Sequence, residues 1–202
     1  MEILERLIFE HPSLISPNSH FPRPFIGKGE IKVIILGADP THIVEGKPLQ
    51  INMVFGLDLK DSPYWRGIRK NLSHITGLTQ DNIYVQNVCK NYFLKETSKN
   101  DRWISIAKEY WLPELSLELN SLFTKEIPIF LTTEIILKAC ILSDNDFIPA
   151  SRIYKECLYI SEKDNLLGRK LFALYRHFWY SLDRWPNYSS FLITEINKST
   201  KA

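Results

Sequence analysis

Four short apolar runs divide the chain, and polar residues follow each: Val33-Ile34-Ile35-Leu36, Ile83-Tyr84-Val85, Ile127-Pro128-Ile129-Phe130-Leu131 and Cys157-Leu158-Tyr159-Ile160. Runs this short, rich in β-branched and aromatic types, suit strands buried on both faces. Between them the apolar positions take helical spacing. Ile3, Leu4, Leu7 and Ile8 predict an N-terminal helix over 2–9. Ser62-Pro63 offers an N-cap followed by a first-turn proline, and Trp65, Ile68, Leu72 and Ile75 carry that helix to Gly77. A long helix is expected from Asp101 to Leu122, kinked or divided at Pro113. A short one follows over 134–140, and another runs from Leu166 into the 170s. The tail after Trp185 is weakly patterned and fits either an added segment or a helix. Strands over 32–37, 82–88, 127–131 and 157–161 thus alternate with helices. The alternation predicts an α/β fold, a three-layer α/β/α sandwich with a mainly parallel four-stranded central sheet.

At 202 residues the length fits one domain over 1–202. Its first 30 residues read as the helix plus an extended arm, since 11–30 holds four prolines and two glycines. A hydrophobic fraction of 45% and a charged fraction of 24% exclude disordered and collagen-like classes. No apolar run reaches the ~20 residues of a membrane span. The N-terminus carries Glu2, Glu5 and Glu10 where a signal peptide would be basic, so a cytoplasmic location and no membrane partner are expected. Cys89, Cys140 and Cys157 lie far apart among apolar neighbours and read as small core residues. Neither a zinc spacing nor a complete calcium loop is present, so no metal and no cofactor is expected. The net charge of +2 permits nucleic-acid binding only through a local basic patch.

Chemistry concentrates where the runs end, the place at which α/β sheets bind ligands. Asp39 and His42 follow the first run, Asn87 the second, Thr132 and Thr133 the third, Ser161 and Glu162 the fourth; Phe55 lies in the loop after the first. Pro40 restricts Asp39 to extended backbone and so aims its carboxylate. A carboxylate, an amide with both donor and acceptor, and an aromatic face suit a flat heterocycle. Each also has a plainer role: a loop cap for Asp39, backbone satisfaction for Asn87, core packing for Phe55. The G-x-S-x-G, Walker and G-x-G-x-x-G motifs are absent.

Gly37-Ala38-Asp39-Pro40-Thr41-His42 resembles the first motif of the uracil-DNA glycosylase superfamily, Gly-Gln-Asp-Pro-Tyr-His, which also follows an apolar strand. Met53-Val54-Phe55 is similar in place and kind to the stretch that ends in the family's uracil-stacking phenylalanine. Gln86-Asn87-Val88-Cys89-Lys90 resembles a Thr-Asn-x-x-Lys run whose asparagine reads the base edge. The resemblance covers roughly 30–180 and implies removal of uracil or another deaminated or damaged base from DNA, by a monomer, with the base flipped out of the stack. It implies catalytic roles for Asp39 and His42, and a base pocket formed by Ala38, Thr41, Phe55 and Asn87. Two departures stand out. Thr41 replaces the tyrosine that excludes the thymine methyl. The second motif, His-Pro-Ser-Pro, whose histidine steadies the departing base, is missing from Ser161–Asn165 after the fourth run. The same comparison makes Lys163, Leu166, Arg169 and Lys170 the DNA-binding residues of that loop. His11-Pro12-Ser13 spells part of the motif out of order, in the arm. The alternatives are a catalytically silent nucleobase- or DNA-binding module of the same fold, and an enzyme acting on free nucleosides.

Overall fold

The computed structural model describes residues 3–17, 20–59 and 62–199. In chain order its elements are α1 (Ile3–Glu10), β1 (Phe25–Ile26), β2 (Val33–Gly37), β3 (Ile43–Val44), β4 (Lys47–Pro48), α2 (Pro63–Leu72), β5 (Ile83–Asn87), α3 (Trp103–Ile106), α4 (Leu112–Leu122), β6 (Ile129–Leu131), α5 (Glu134–Cys140), α6 (Ala150–Glu156), β7 (Leu171–Ala173) and α7 (Pro186–Ser199). The central sheet has the order β1-β5-β2-β6-β7. Its last four members are mutually parallel, and β1 runs antiparallel along β5. The molecule is therefore α/β with a mostly parallel sheet of five strands, one more than the four expected. The extra strand comes from the arm.

Parallel neighbours require long crossovers, and the helices fill them: α2 between β2 and β5, α3 and α4 between β5 and β6, α5 and α6 between β6 and β7. Every residue of β2, β5, β6 and β7 is buried, as a strand needs when both of its faces are covered. From β2 the chain steps to β5 on one side, then crosses to β6 on the other. Such a reversal opens a crevice at the carboxyl ends of the strands.

Two segments depart from expectation. The run 157–161 is not the fourth strand. Cys157 ends α6 in the left-handed region, at φ 54° and ψ 55°, and Ile160 makes only an isolated antiparallel bridge to Leu171. The fourth parallel strand is Leu171–Ala173, where a helix was expected, registered against Ile129–Leu131. Both runs are short and apolar, and pairing with β6 rather than composition decides between them. The expected helix over 101–122 is divided before Pro113: α3 passes through a π-helical segment at Ala107–Trp111 into α4. Proline lacks the N–H that a continuous helix needs, and the wider turn absorbs that break.

The tail folds as α7 and closes the β7 edge. The Tyr188 hydroxyl accepts from the Ala173 N–H at 3.0 Å and donates to the Ala173 carbonyl at 3.1 Å, satisfying an edge residue that has no further strand beside it. Among the described residues no helix is long and apolar enough to cross a membrane.

Candidate functional site

Gly37, the last residue of β2, sets the geometry of the site. A Cβ there would collide with the Phe55 ring and with Asn87 Oδ1, so only glycine lets these two side chains meet at the strand end. Asn87 is the last residue of β5, paired in register with Gly37. Its side chain is 2% exposed, and its Nδ2 has no hydrogen-bond partner. Phe55 reaches the same point through a strained backbone, at φ 60° and ψ 7°. That left-handed conformation costs an aromatic residue about 1–3 kcal/mol, and such strain clusters at functional sites. Ser62 holds it: its Oγ donates to the Phe55 carbonyl at 2.5 Å and accepts from the Trp65 N–H at 3.3 Å, capping α2. One hydroxyl thus ties the Phe55 backbone to a helix.

Asp39 follows β2 and is held by converging donors. Its Oδ1 accepts from the Thr41 N–H at 2.8 Å. Its Oδ2 accepts from Thr97 Oγ1 at 2.5 Å and from Trp103 Nε1 at 2.8 Å. The Thr41 hydroxyl accepts from the Phe93 N–H at 2.8 Å, which fixes Thr41 beside that carboxylate. Burial raises the Asp39 pKa above its ordinary value, and these hydrogen bonds oppose it without overcoming it. Three donors occupy most of the roughly four lone-pair directions of a carboxylate. Asp39 is thus a carboxylate held in place by protein donors, while its burial favours protonation.

Tyr64 completes the wall. Thr132 Oγ1 donates to the Leu36 carbonyl at 2.9 Å, so the Tyr64 hydroxyl is the donor in its 3.0 Å bond to that oxygen. The ring lies 4.8 Å from that of Phe55, and the Arg176 guanidinium lies over it, 4.2 Å from its centre. Arg176 stands just past β7, where its N–H bonds the Thr132 carbonyl at 3.2 Å. Together these groups enclose a cavity of about 650 Å³ that also includes Ala38, His42 and Thr133. The Thr133 hydroxyl is buried without a partner. The cavity therefore offers a carboxylate, an aromatic face, a guanidinium and two unpartnered polar groups, within the size range of small-molecule sites.

Of the residues singled out in the sequence, Ala38, Asp39, Thr41, His42, Phe55 and Asn87 all line this one cavity. Thr41 has a second task, since its backbone N–H braces Asp39. Lys163, Leu166, Arg169 and Lys170 do not join it. They precede β7 and so lie at the amino end of a parallel strand, away from the carboxyl-end crevice. Arg169 is wholly buried: its guanidinium donates to the carbonyls of Leu119 at 3.0 Å, Phe123 at 2.8 Å and Thr124, closing the end of α4. Lys170 pairs with Glu195 at 3.1 Å. Neither arrangement leaves a group poised for phosphate. Tyr64, Thr97, Trp103 and Arg176 escaped sequence reading. A signal existed only for Arg176, which follows Leu171-Phe172-Ala173-Leu174, itself an apolar run ending in polar residues.

No family model matches the chain, and a search of curated proteins finds no similar sequence.

Proposed function

We propose that the protein is a DNA glycosylase that hydrolyses the N-glycosidic bond of uracil or another deaminated or damaged base, on a three-layer α/β/α fold. The observation that carries this reading is the convergence of Asp39, Phe55 and Asn87, from three separate chain segments, on one cavity. Phe55 stacks on the flipped base, and the unpartnered Asn87 Nδ2 donates to a base carbonyl. As the C1′–N bond breaks, its electron pair leaves with the base and the sugar becomes cationic. Asp39 steadies that cation as a carboxylate. Water then adds its hydroxide to C1′, and its remaining proton ends on the base or in solvent. Arg176 faces the developing negative charge on the base, the part that the superfamily gives to a second-motif histidine.

A gel assay on oligonucleotides containing uracil, hypoxanthine or a thymine mismatch tests the reading through alkali-labile abasic product. Absence of product from all three at high enzyme concentration overturns it. One observation favours a silent binding module instead: the Asp39 carboxylate already accepts three hydrogen bonds from the protein. In that case base-containing DNA binds without turnover, with affinity unchanged by Asp39→Asn.

A further inference from the structure

The face beside the cavity mouth concentrates positive charge in a chain whose total is only +2. Pro63 lines the cavity and also begins an open groove along α2, lined by Arg66, Gly67, Arg69, Lys70 and Ser73. Across from it lies the segment after β7, with Arg176 at the cavity wall, then Phe178 and Trp179, then Arg184. Phe178 and Trp179 are each 61% exposed, with ring centres 5.5 Å apart, and the Arg184 guanidinium stacks 4.0 Å and 5.1 Å from them. The segment is fastened to α2. Asn71 Oδ1 accepts from the Leu182 N–H at 3.1 Å, Asn71 Nδ2 donates to the Tyr175 carbonyl at 3.3 Å, and Lys70 pairs with Asp183 at 3.4 Å. Helix and aromatic segment therefore form one surface.

Gly67 leaves the floor of this groove without a side chain. Glycine weakens a helix interior, and here neither packing nor backbone demands it: its φ is helical, and an added Cβ would meet nothing within 4 Å. Its missing side chain keeps the groove floor open between Pro63 and Lys70, where a phosphate can approach the helix.

We propose that this face is the track for a nucleic-acid strand. Phosphates flanking the nucleotide in the cavity lie along α2 against Arg69 and Lys70, with Lys70 exchanging its exposed 3.4 Å pairing with Asp183 for a phosphate, and an adjacent base stacks on Phe178 or Trp179. Basic groove and exposed aromatics are the two parts that single-strand binding needs. The assignment rests on the glycosylase reading for the nucleotide in the cavity, but its test does not require turnover.

Fluorescence anisotropy of a labelled single-stranded DNA without modified bases, across a salt series, reads the surface alone. Arg69→Gln with Lys70→Gln is expected to flatten the slope of log K against log salt by about 1.4, since each single-strand phosphate contact contributes about 0.7. Trp179→Ala is expected to weaken binding about 5- to 150-fold with the slope unchanged, the range for one stacked base. Gly67→Gln, which fills the groove, weakens binding as well. Arg152→Gln on α6 leaves both readings as they were. An unaltered slope in the α2 double variant, or wild-type protein that binds no strand at low salt, overturns the proposal. Strand binding with no abasic product in the gel assay overturns only the glycosylase reading.

Discussion

Two arginines flank β7, and they illustrate how little a residue type says without its surroundings. Arg169, at the amino end, gives its terminal N–H groups to backbone carbonyls and the Asn120 amide at the end of α4 and is sealed from solvent. Arg176, at the carboxyl end, lies over Tyr64 on the wall of a cavity that holds Asp39. The first satisfies acceptors that the fold itself leaves open; the second presents its charge where a ligand would sit. Lacking a partner does not by itself draw this distinction, since Arg169 Nε is unpartnered too; position beside the cavity does. Asn87 Nδ2 and the Thr133 hydroxyl stay unpartnered beside the cavity, a cost of about 1–3 kcal/mol each that a bound acceptor would remove.

Substitution of the charges at the two strand ends should separate activity from stability. Asp39→Asn is expected to lower kcat about 100- to 1000-fold in single-turnover assays. Because burial raises the Asp39 pKa, the wild-type rate should fall on the acid side as the carboxylate protonates, at a pH above the ordinary aspartate range, and the variant should lack that limb. The same shift has a consequence for stability. A carboxyl with a raised folded-state pKa favours the fold most below its unfolded pKa and loses that contribution as pH rises through the folded value. Asp39→Asn should therefore flatten part of the stability–pH curve. Arg176→Gln is expected to reduce kcat about 100-fold with little change in melting temperature, and to matter less for a better leaving group such as 5-fluorouracil. Arg169→Met should do the reverse, costing about 2–3 kcal/mol in urea unfolding while the folded fraction retains its activity. Equal damage to activity from both arginine variants would break the contrast.

The misassigned arginine traces to one strand. β2, β5 and β6 were legible because each run is apolar over several residues and ends on a visible polar group. β7 has only three strand residues, and its neighbour Cys157–Ile160 is an equally plausible strand by composition. Register against Ile129–Leu131 selects the later run, and that is a long-range fact. A strand at 157–161 has its carboxyl end at Ser161, which points to Lys163 through Lys170, whereas the strand at Leu171–Ala173 points to Arg176. Asp39, Phe55 and Asn87 were legible because strand ends and an adjacent loop supply them in chain order. Trp103 and Thr97 reach Asp39 from 64 and 58 residues away, and no local pattern marks which donors will converge there. Tyr64 was hidden by a helix whose apolar stripe, through Trp65 and Ile68, drew attention to the opposite task of filling the core.

Two glycines sharpen the contrast between structural and functional groups at smaller cost. Gly37→Ala forces a methyl group into the Phe55 ring and the Asn87 amide, so it is expected to destabilise by about 1–3 kcal/mol and to abolish base recognition together. Gly67→Ala adds the same methyl group to an open helical position and should stabilise by about 0.8–1 kcal/mol, raising the urea midpoint without a change in m. A glycine that is dispensable for the fold, and even weakens it, is then explained by what its missing side chain admits. If Gly67→Ala instead lowers stability, the residue has a packing role, and the open groove on α2 no longer accounts for it.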